Sequence, residues 1–185
     1  MKRPRPIWAK RFAPAPSLVL GALCLVLSVA VHAETLIVAL GASNVAGKGV
    51  SSAQAWPAQL EGMLRAKGYD VRIKNAGKSG DTTAGMLHRL TFAVPSSTKI
   101  VILDMGGGYY NNRKLTSASQ ARGPADMEEI QANLKSRGIE IIHWLSREPI
   151  NLRQADKIHL TAEGHRAAAQ ELEPKVIQAL KSLGG

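Results

Sequence analysis

Short apolar runs and helical repeats alternate along this chain. Residues 35–40 (Thr-Leu-Ile-Val-Ala-Leu) and 99–104 (Lys-Ile-Val-Ile-Leu-Asp) are rich in β-branched side chains and too short for helices, so they read as buried strands. Residues 70–74 alternate between polar and apolar positions and predict another strand, and residues 139–144 predict a fourth. Between them, Ala55, Leu60, Met63 and Leu64 recur at roughly helical spacing within 54–67, and Gly68 supplies a stop. Residues 83–90 and 124–137 also read as helices, and 161–183 as a long final helix with a kink expected at Pro174. The order βαβαβαβ…α predicts a mostly parallel sheet covered by helices on both faces, a three-layer α/β sandwich.

In such a sheet, function collects at the carboxyl ends of the strands. The first three strands each run into a glycine-containing loop, 41–49, 75–83 and 106–112. Glycine lets backbone N–H groups approach an anion closely. Ordinary tight turns are the other reading, but three such loops at equivalent ends favour a shared site.

Charge changes this picture mainly at the N-terminus. The 24 Lys+Arg and 14 Asp+Glu give a net charge of +10 over 185 residues, which first suggests a nucleic-acid or acidic-membrane partner. Five of the cations, Lys2, Arg3, Arg5, Lys10 and Arg11, precede an apolar run over 18–31 and a Val31-His32-Ala33 peptidase site. This is the three-part pattern of a secretory signal, and the run is shorter than the ~20 residues a membrane span needs. The expected organisation is a signal peptide over 1–33 and one compact domain over 34–185, periplasmic or secreted, with no stable membrane span after signal removal. That domain carries 19 cations against 14 carboxylates, or +5, and loses the single cysteine, Cys24. No basic-aromatic cluster remains to argue for nucleic acid.

The loop Gly41-Ala42-Ser43-Asn44-Val45-Ala46-Gly47-Lys48-Gly49 follows a strand and contains Gly-Lys, but five residues separate its glycines and no hydroxyl follows the lysine. It fails as a phosphate loop, and no dinucleotide fingerprint is present. Hydrolytic chemistry fits better. Ser43 lies where a nucleophile could project from the sheet edge, and Asp156-Lys157-Ile158-His159 offers a base and an orienting carboxylate in one stretch. Alternatively, Ser43 serves turn chemistry and the Asp-x-x-His stretch is a solvated loop; neither spacing alone is specific. His143 on the fourth strand reads as a core residue, and His165 as a packing or capping residue of the last helix. No spacing suggests zinc.

Together these residues resemble the SGNH hydrolase superfamily (GDSL esterases/lipases), and above all its short bacterial members of arylesterase, lysophospholipase and thioesterase type. The family's first block, Gly-Asp-Ser with Ala-Gly following, is similar to Gly41-Ala42-Ser43 and Ala46-Gly47, with Ala42 in place of the aspartate. The second block matches Asn75-Ala76-Gly77-Lys78-Ser79-Gly80-Asp81-Thr82-Thr83, and the last matches Asp156 through His165. The resemblance implies the flavodoxin-like SGNH fold with a sheet of four to five strands. Only residues 145–155 separate the fourth strand from Asp156, so the fifth strand is expected to be missing or reduced. It also implies a catalytic triad of Ser43, Asp156 and His159, with an oxyanion hole formed by the Ser43 and Gly80 backbone N–H groups. The third block departs: the run Met105-Gly106-Gly107-Gly108-Tyr109-Tyr110-Asn111-Asn112 puts Gly108 at the position of the family's asparagine donor. Asn111 or Asn112 could replace that donor if the loop is rearranged. The activity implied is hydrolysis of a small-molecule carboxylic or thio ester through an acyl-enzyme, without metal or cofactor. The other reading is a degenerate SGNH domain that binds acyl or glycan ligands without turnover.

Overall fold

The computed structural model describes residues 34–184. The expected export segment, residues 1–33 with Cys24 and His32, lies outside the described residues. Four strands, β1 (Thr35–Gly41), β2 (Val71–Gly77), β3 (Thr98–Asp104) and β4 (Glu140–Trp144), form one parallel sheet in the order β2-β1-β3-β4. The helices are α1 (Ser43–Ala46), α2 (Trp56–Ala66), α3 (Thr83–His88), α4 (Leu90–Ala93), α5 (Gly107–Asn112), α6 (Ser117–Ser136) and α7 (Ala162–Leu183). The order is flavodoxin-like, with four strands among the described residues, and it reverses direction between β1 and β3, the switch point where α/β sheets open a crevice.

The strand alternation explains the three layers. Ile37 and Ala39 of β1, Ile100 and Ile102 of β3, and Ile142 and Trp144 of β4 pack with Trp56, Leu60 and Leu64 of α2 and Ala168, Leu172 and Val176 of α7. Their neighbours Val38, Leu40, Val101 and Leu103 pack on the other face with Met86, Leu90, Met127, Ile130 and Leu134. Successive strand side chains point to opposite faces, so a fully apolar strand needs cover on both. Each completely buried isoleucine or leucine contributes roughly 1.5–3 kcal/mol relative to exposure. Trp56 and Trp144 meet with ring centroids 5.1 Å apart, tying α2 to the end of β4.

Several elements differ from the pattern-based expectation. β2 continues through Asn75, Ala76 and Gly77, which pair in register with Ala39, Leu40 and Gly41; the ladder to β1 satisfies their backbone groups despite their low strand propensity. The third glycine loop contains a helix, α5, because Asp104 Oδ1 accepts the N–H groups of Gly106 (2.9 Å) and Gly107 (3.0 Å) at its start. The predicted helix over 83–90 ends at His88, and Arg89 separates it from α4. α6 starts at Ser117, seven residues before the expected start, capped by Thr116. Pro124 sits inside it, with Pro124 and Gln120 both exposed, so water can reach the carbonyl left without a donor. α7 likewise runs through an exposed Pro174. Where a fifth strand would lie, the described residues hold a short 3₁₀ turn at Ile150–Leu152 and one antiparallel bridge, Arg153 to Leu160. β4 is therefore an edge strand, and His143 is exposed on it, bonded to Gln131 Oε1 at 2.8 Å, rather than buried in the core as expected.

Candidate active site

Ser43 opens α1 at the switch point, directly after β1. A buried carboxylate fixes the loop that carries it. Asp104, at the end of β3, accepts the Ala42 N–H through Oδ2 at 3.2 Å while its other oxygen holds Gly106 and Gly107. One side chain thus joins the loops after β1 and β3. A Cβ at Gly107 would collide with Asp104 and with the Ala42 methyl, so the approach requires glycine there. A Cβ at Gly77 would collide with the backbone of Val45 and Ala46, so β2 can end against α1 only through a glycine.

His159 Nε2 lies 3.0 Å from Ser43 Oγ, and His159 Nδ1 lies 2.5 Å from Asp156 Oδ2. The turn between Asp156 and His159 makes this possible. Asp156 Oδ1 accepts the backbone N–H groups of Ile158 and His159, each at 2.9 Å, and Lys157 adopts a left-handed φ of 59°. The His159 N–H and imidazole, together with the Ile158 N–H, hold the Asp156 carboxyl well below the usual carboxylate range. Asp156 therefore stays ionised wherever a histidine titrates.

Two residues not singled out from the sequence lock His159 in place. Asn44 donates its amide to the Ile158 carbonyl (3.2 Å) and accepts the Leu160 N–H (3.1 Å), gripping the backbone on both sides of the histidine. Arg153 donates to the carbonyls of Ile158 (2.8 Å), Glu148 (3.1 Å) and Ser146 (3.3 Å), bracing the segment that stands where a fifth strand would. Asn44 is adjacent to Ser43, and Asp104 is an acid ending an apolar strand. Both are faint signals, because their partners lie far away in sequence.

The oxyanion candidates divide. Gly80 is exposed at φ 79°, three residues beyond β2, on a turn joined to the end of β1 by the Lys78 N–H to Gly41 carbonyl bond of 3.0 Å. Asn111 is buried and lines the same cavity as Ser43, its amide donating to the Asp81 carbonyl at 2.7 Å. Asn112 is committed elsewhere, accepting the Thr83 N–H (3.1 Å) and donating to Thr83 Oγ1 (2.8 Å). Helix α5 explains the difference: Gly107, Tyr110 and Asn111 share one face at i, i+3 and i+4, and that face lines the cavity. A side chain at Gly108 would instead point at Met86 and Thr83 of α3. The cavity is about 130 Å³, and Leu145 and Ile158 form part of its wall. Among the described residues, no group of three or more His, Cys, Asp or Glu could hold a metal.

His165 packs behind this site, fully buried, with Nδ1 accepting the Trp56 N–H at 3.3 Å and so capping the start of α2. Burial pushes its pKa down from 6.5 to about 4, and the nearby His159 charge acts in the same direction. Between those two values the unfolded chain binds the proton that the folded chain refuses. The contribution of His165 to stability is therefore fully present above 6.5 and is lost as pH falls toward about 4, on the order of 3 kcal/mol. Denaturant titrations across this range should show that decline, and His165→Gln, which retains an acceptor, should flatten it. Parallel profiles for the two proteins would refute the assignment.

No family model matches the chain. It is 30% identical over 123 residues to Esterase TesA of Pseudomonas aeruginosa, an alignment that covers 66% of this chain and 59% of that protein. The chain thus spans 59% of the length of this curated relative. The crystal structure of AlinE4, described as an SGNH-hydrolase family esterase, superposes with a TM-score of 0.57 at 27% identity, covering 80% of this chain and 98% of that one. A single-site mutant of the same esterase aligns at 32% identity and a TM-score of 0.53, covering 78% of this chain and 73% of that one. Strand order, the block order along the sequence and these relatives agree, and the chain belongs to the SGNH hydrolase superfamily.

Proposed function

We propose that the chain is an exported serine hydrolase of small-molecule carboxylic or thio esters, working through an acyl-enzyme. The observation that carries this reading is the hydrogen-bonded line from Ser43 Oγ through the His159 ring to Asp156, at 3.0 and 2.5 Å. A serine hydroxyl is a weak nucleophile until a base accepts its proton. In the proposed reaction His159 Nε2 takes that proton as Ser43 attacks the acyl carbon, then returns it to the leaving group. Asp156 holds the tautomer with the proton on Nδ1 and stabilises the imidazolium. Water then attacks the acyl-enzyme by the same route, releasing the acid and Ser43. The backbone N–H groups of Ser43 and Gly80 donate to the oxyanion, and neither donates elsewhere among the described residues. Asn111 is the proposed third donor, reaching the site from one helical turn beyond Gly108. Export rests on the signal pattern of residues 1–33; among the described residues no helix is long and apolar enough to cross a membrane.

The test is a panel of p-nitrophenyl esters together with a serine-directed phosphonate. Turnover and covalent labelling are expected. If the protein is neither labelled nor active on any ester, the reading falls and ligand binding without turnover takes its place. Removing one oxyanion donor costs about 10²–10³ in turnover. Asn111→Ala should lower kcat by that amount with the circular dichroism spectrum retained, and an unchanged kcat would remove Asn111 from the hole.

A further inference from the structure

We infer that the substrate carries a carboxylate or phosphate close to the scissile ester, a statement about substrate class that rests on the esterase reading above. The loops at the carboxyl ends of the strands span 41–55, 78–82, 105–116 and 145–161. Their exposed cations are Lys48, Lys78, Arg113, Lys114, Arg147 and Lys157. None of these six forms an ion pair among the described residues.

The carboxylates at this end are already committed. Asp81 holds Arg89 at 2.6 Å. Asp104 accepts three backbone N–H groups. Glu148 accepts the Ser146 hydroxyl at 2.6 Å and lies 3.8 Å from Arg153. Asp156 is bound to His159. The exposed Glu163, at the start of α7, lines a separate depression on the α2–α7 flank with Arg166. At the opposite end of the sheet the pattern differs, for Glu34 pairs there with both Arg65 and Arg72.

Four of the six belong to segments joined to the residues around Ser43 and His159. The Arg113 guanidinium lies 4.6 Å from the centre of the Tyr110 ring, which lines the cavity beside Ser43. Lys157 is the left-handed residue between Asp156 and His159. The Lys48 carbonyl accepts the Gln154 amide at 2.8 Å, which ties it to the loop that carries His159. The Lys78 N–H bonds the Gly41 carbonyl, two residues before Ser43. Like charges gathered without carboxylate partners repel one another. A cleft rimmed by one sign of charge concentrates ligands of the opposite sign and speeds their capture by ~10–10³-fold, an effect that salt removes.

The experiment uses a matched pair of acetyl esters, one of 4-hydroxybenzoate and one of its methyl ester, with each rate divided by that compound's spontaneous hydrolysis. At low ionic strength the anionic ester should show a kcat/KM at least about tenfold higher, and the advantage should fade as salt rises from ~10 mM to ~0.5 M. The double variant Lys48→Glu/Arg113→Glu should bring the two esters to near parity. Lys99→Glu/Lys135→Glu, with the same change in net charge away from the rim, should retain the advantage. Cleavage of the neutral ester with no advantage for the anionic one overturns this inference and leaves the esterase reading standing. Equal losses in both double variants also overturn it, because the effect would then be one of net charge. So does activation by phosphatidylglycerol vesicles without charge discrimination between the soluble esters, which would make the rim a lipid-docking surface. No turnover of either ester, with no phosphonate labelling, overturns both readings.

Discussion

Ser43→Ala is expected to lower kcat for every ester by roughly 10⁵–10⁶-fold and to abolish phosphonate labelling, while the protein still folds. The size follows from the reaction proposed: without Oγ no acyl-enzyme can form, and residues that act as a unit lose nearly all their effect when one is removed. The fold should tolerate the change. Among the described residues Ser43 Oγ has one hydrogen bond, to His159, and the α1 backbone is held independently by Asp104 through Ala42 and by Asn44 through Ile158 and Leu160. Helix propensity also favours alanine. Thermal unfolding alongside the assay separates the two effects. Retained labelling in the variant would place the nucleophile elsewhere and dismantle the proposed mechanism.

Asp156→Asn should be the second most damaging substitution, with kcat lower by about 10⁴-fold. The asparagine oxygen can still accept the Ile158 and His159 N–H groups, so the turn should survive. The atom facing His159 Nδ1 then becomes an NH₂ donor. It forces the imidazole into the tautomer whose Nε2 carries the proton, and such a ring cannot accept one from Ser43. The expected signature is a collapse of kcat with KM little changed, and residual activity that rises with hydroxide. The pH argument has a definite sign. A carboxylate whose pKa is depressed on folding favours the native state above its unfolded value and loses that contribution only as pH falls through the folded value. Asp156 lies well below the usual range, so protonation of Asp156 does not account for a loss of activity near neutrality. A kcat within tenfold of wild type for Asp156→Asn would remove the carboxylate from the mechanism.

Much of the fold is legible in the sequence because its signals are local. Residues 36–40 and 100–103 are apolar without interruption, and only a strand buried on both faces needs that pattern. The misread segments are those where a distant partner outweighs local propensity. Asn75-Ala76-Gly77 looks like a loop by itself and becomes strand because β1 lies beside it in register. The glycines at 106–108 look like a turn, yet α5 begins among them once Asp104 accepts two of their N–H groups. His143 looks like a core residue, and it is exposed because the strand it lies on is the edge of the sheet.

The same division holds at the site. The sequence by itself determined the strand-and-helix alternation, the family blocks, and Ser43, Asp156 and His159 as candidate site residues, since motif residues keep their spacing along the chain. Tertiary structure alone decided that Ser43 and His159, 116 positions apart, stand within hydrogen-bond distance. It also decided that Asn44 and Arg153 hold His159 in place, and that Asn111 rather than Gly108 or Asn112 lines the cavity. The physical reason is one of range. Propensity and periodicity act over a few residues, whereas an approach between loops is set by the stacking of β1 beside β3 and by close contacts that glycine alone permits, at Gly77 and Gly107.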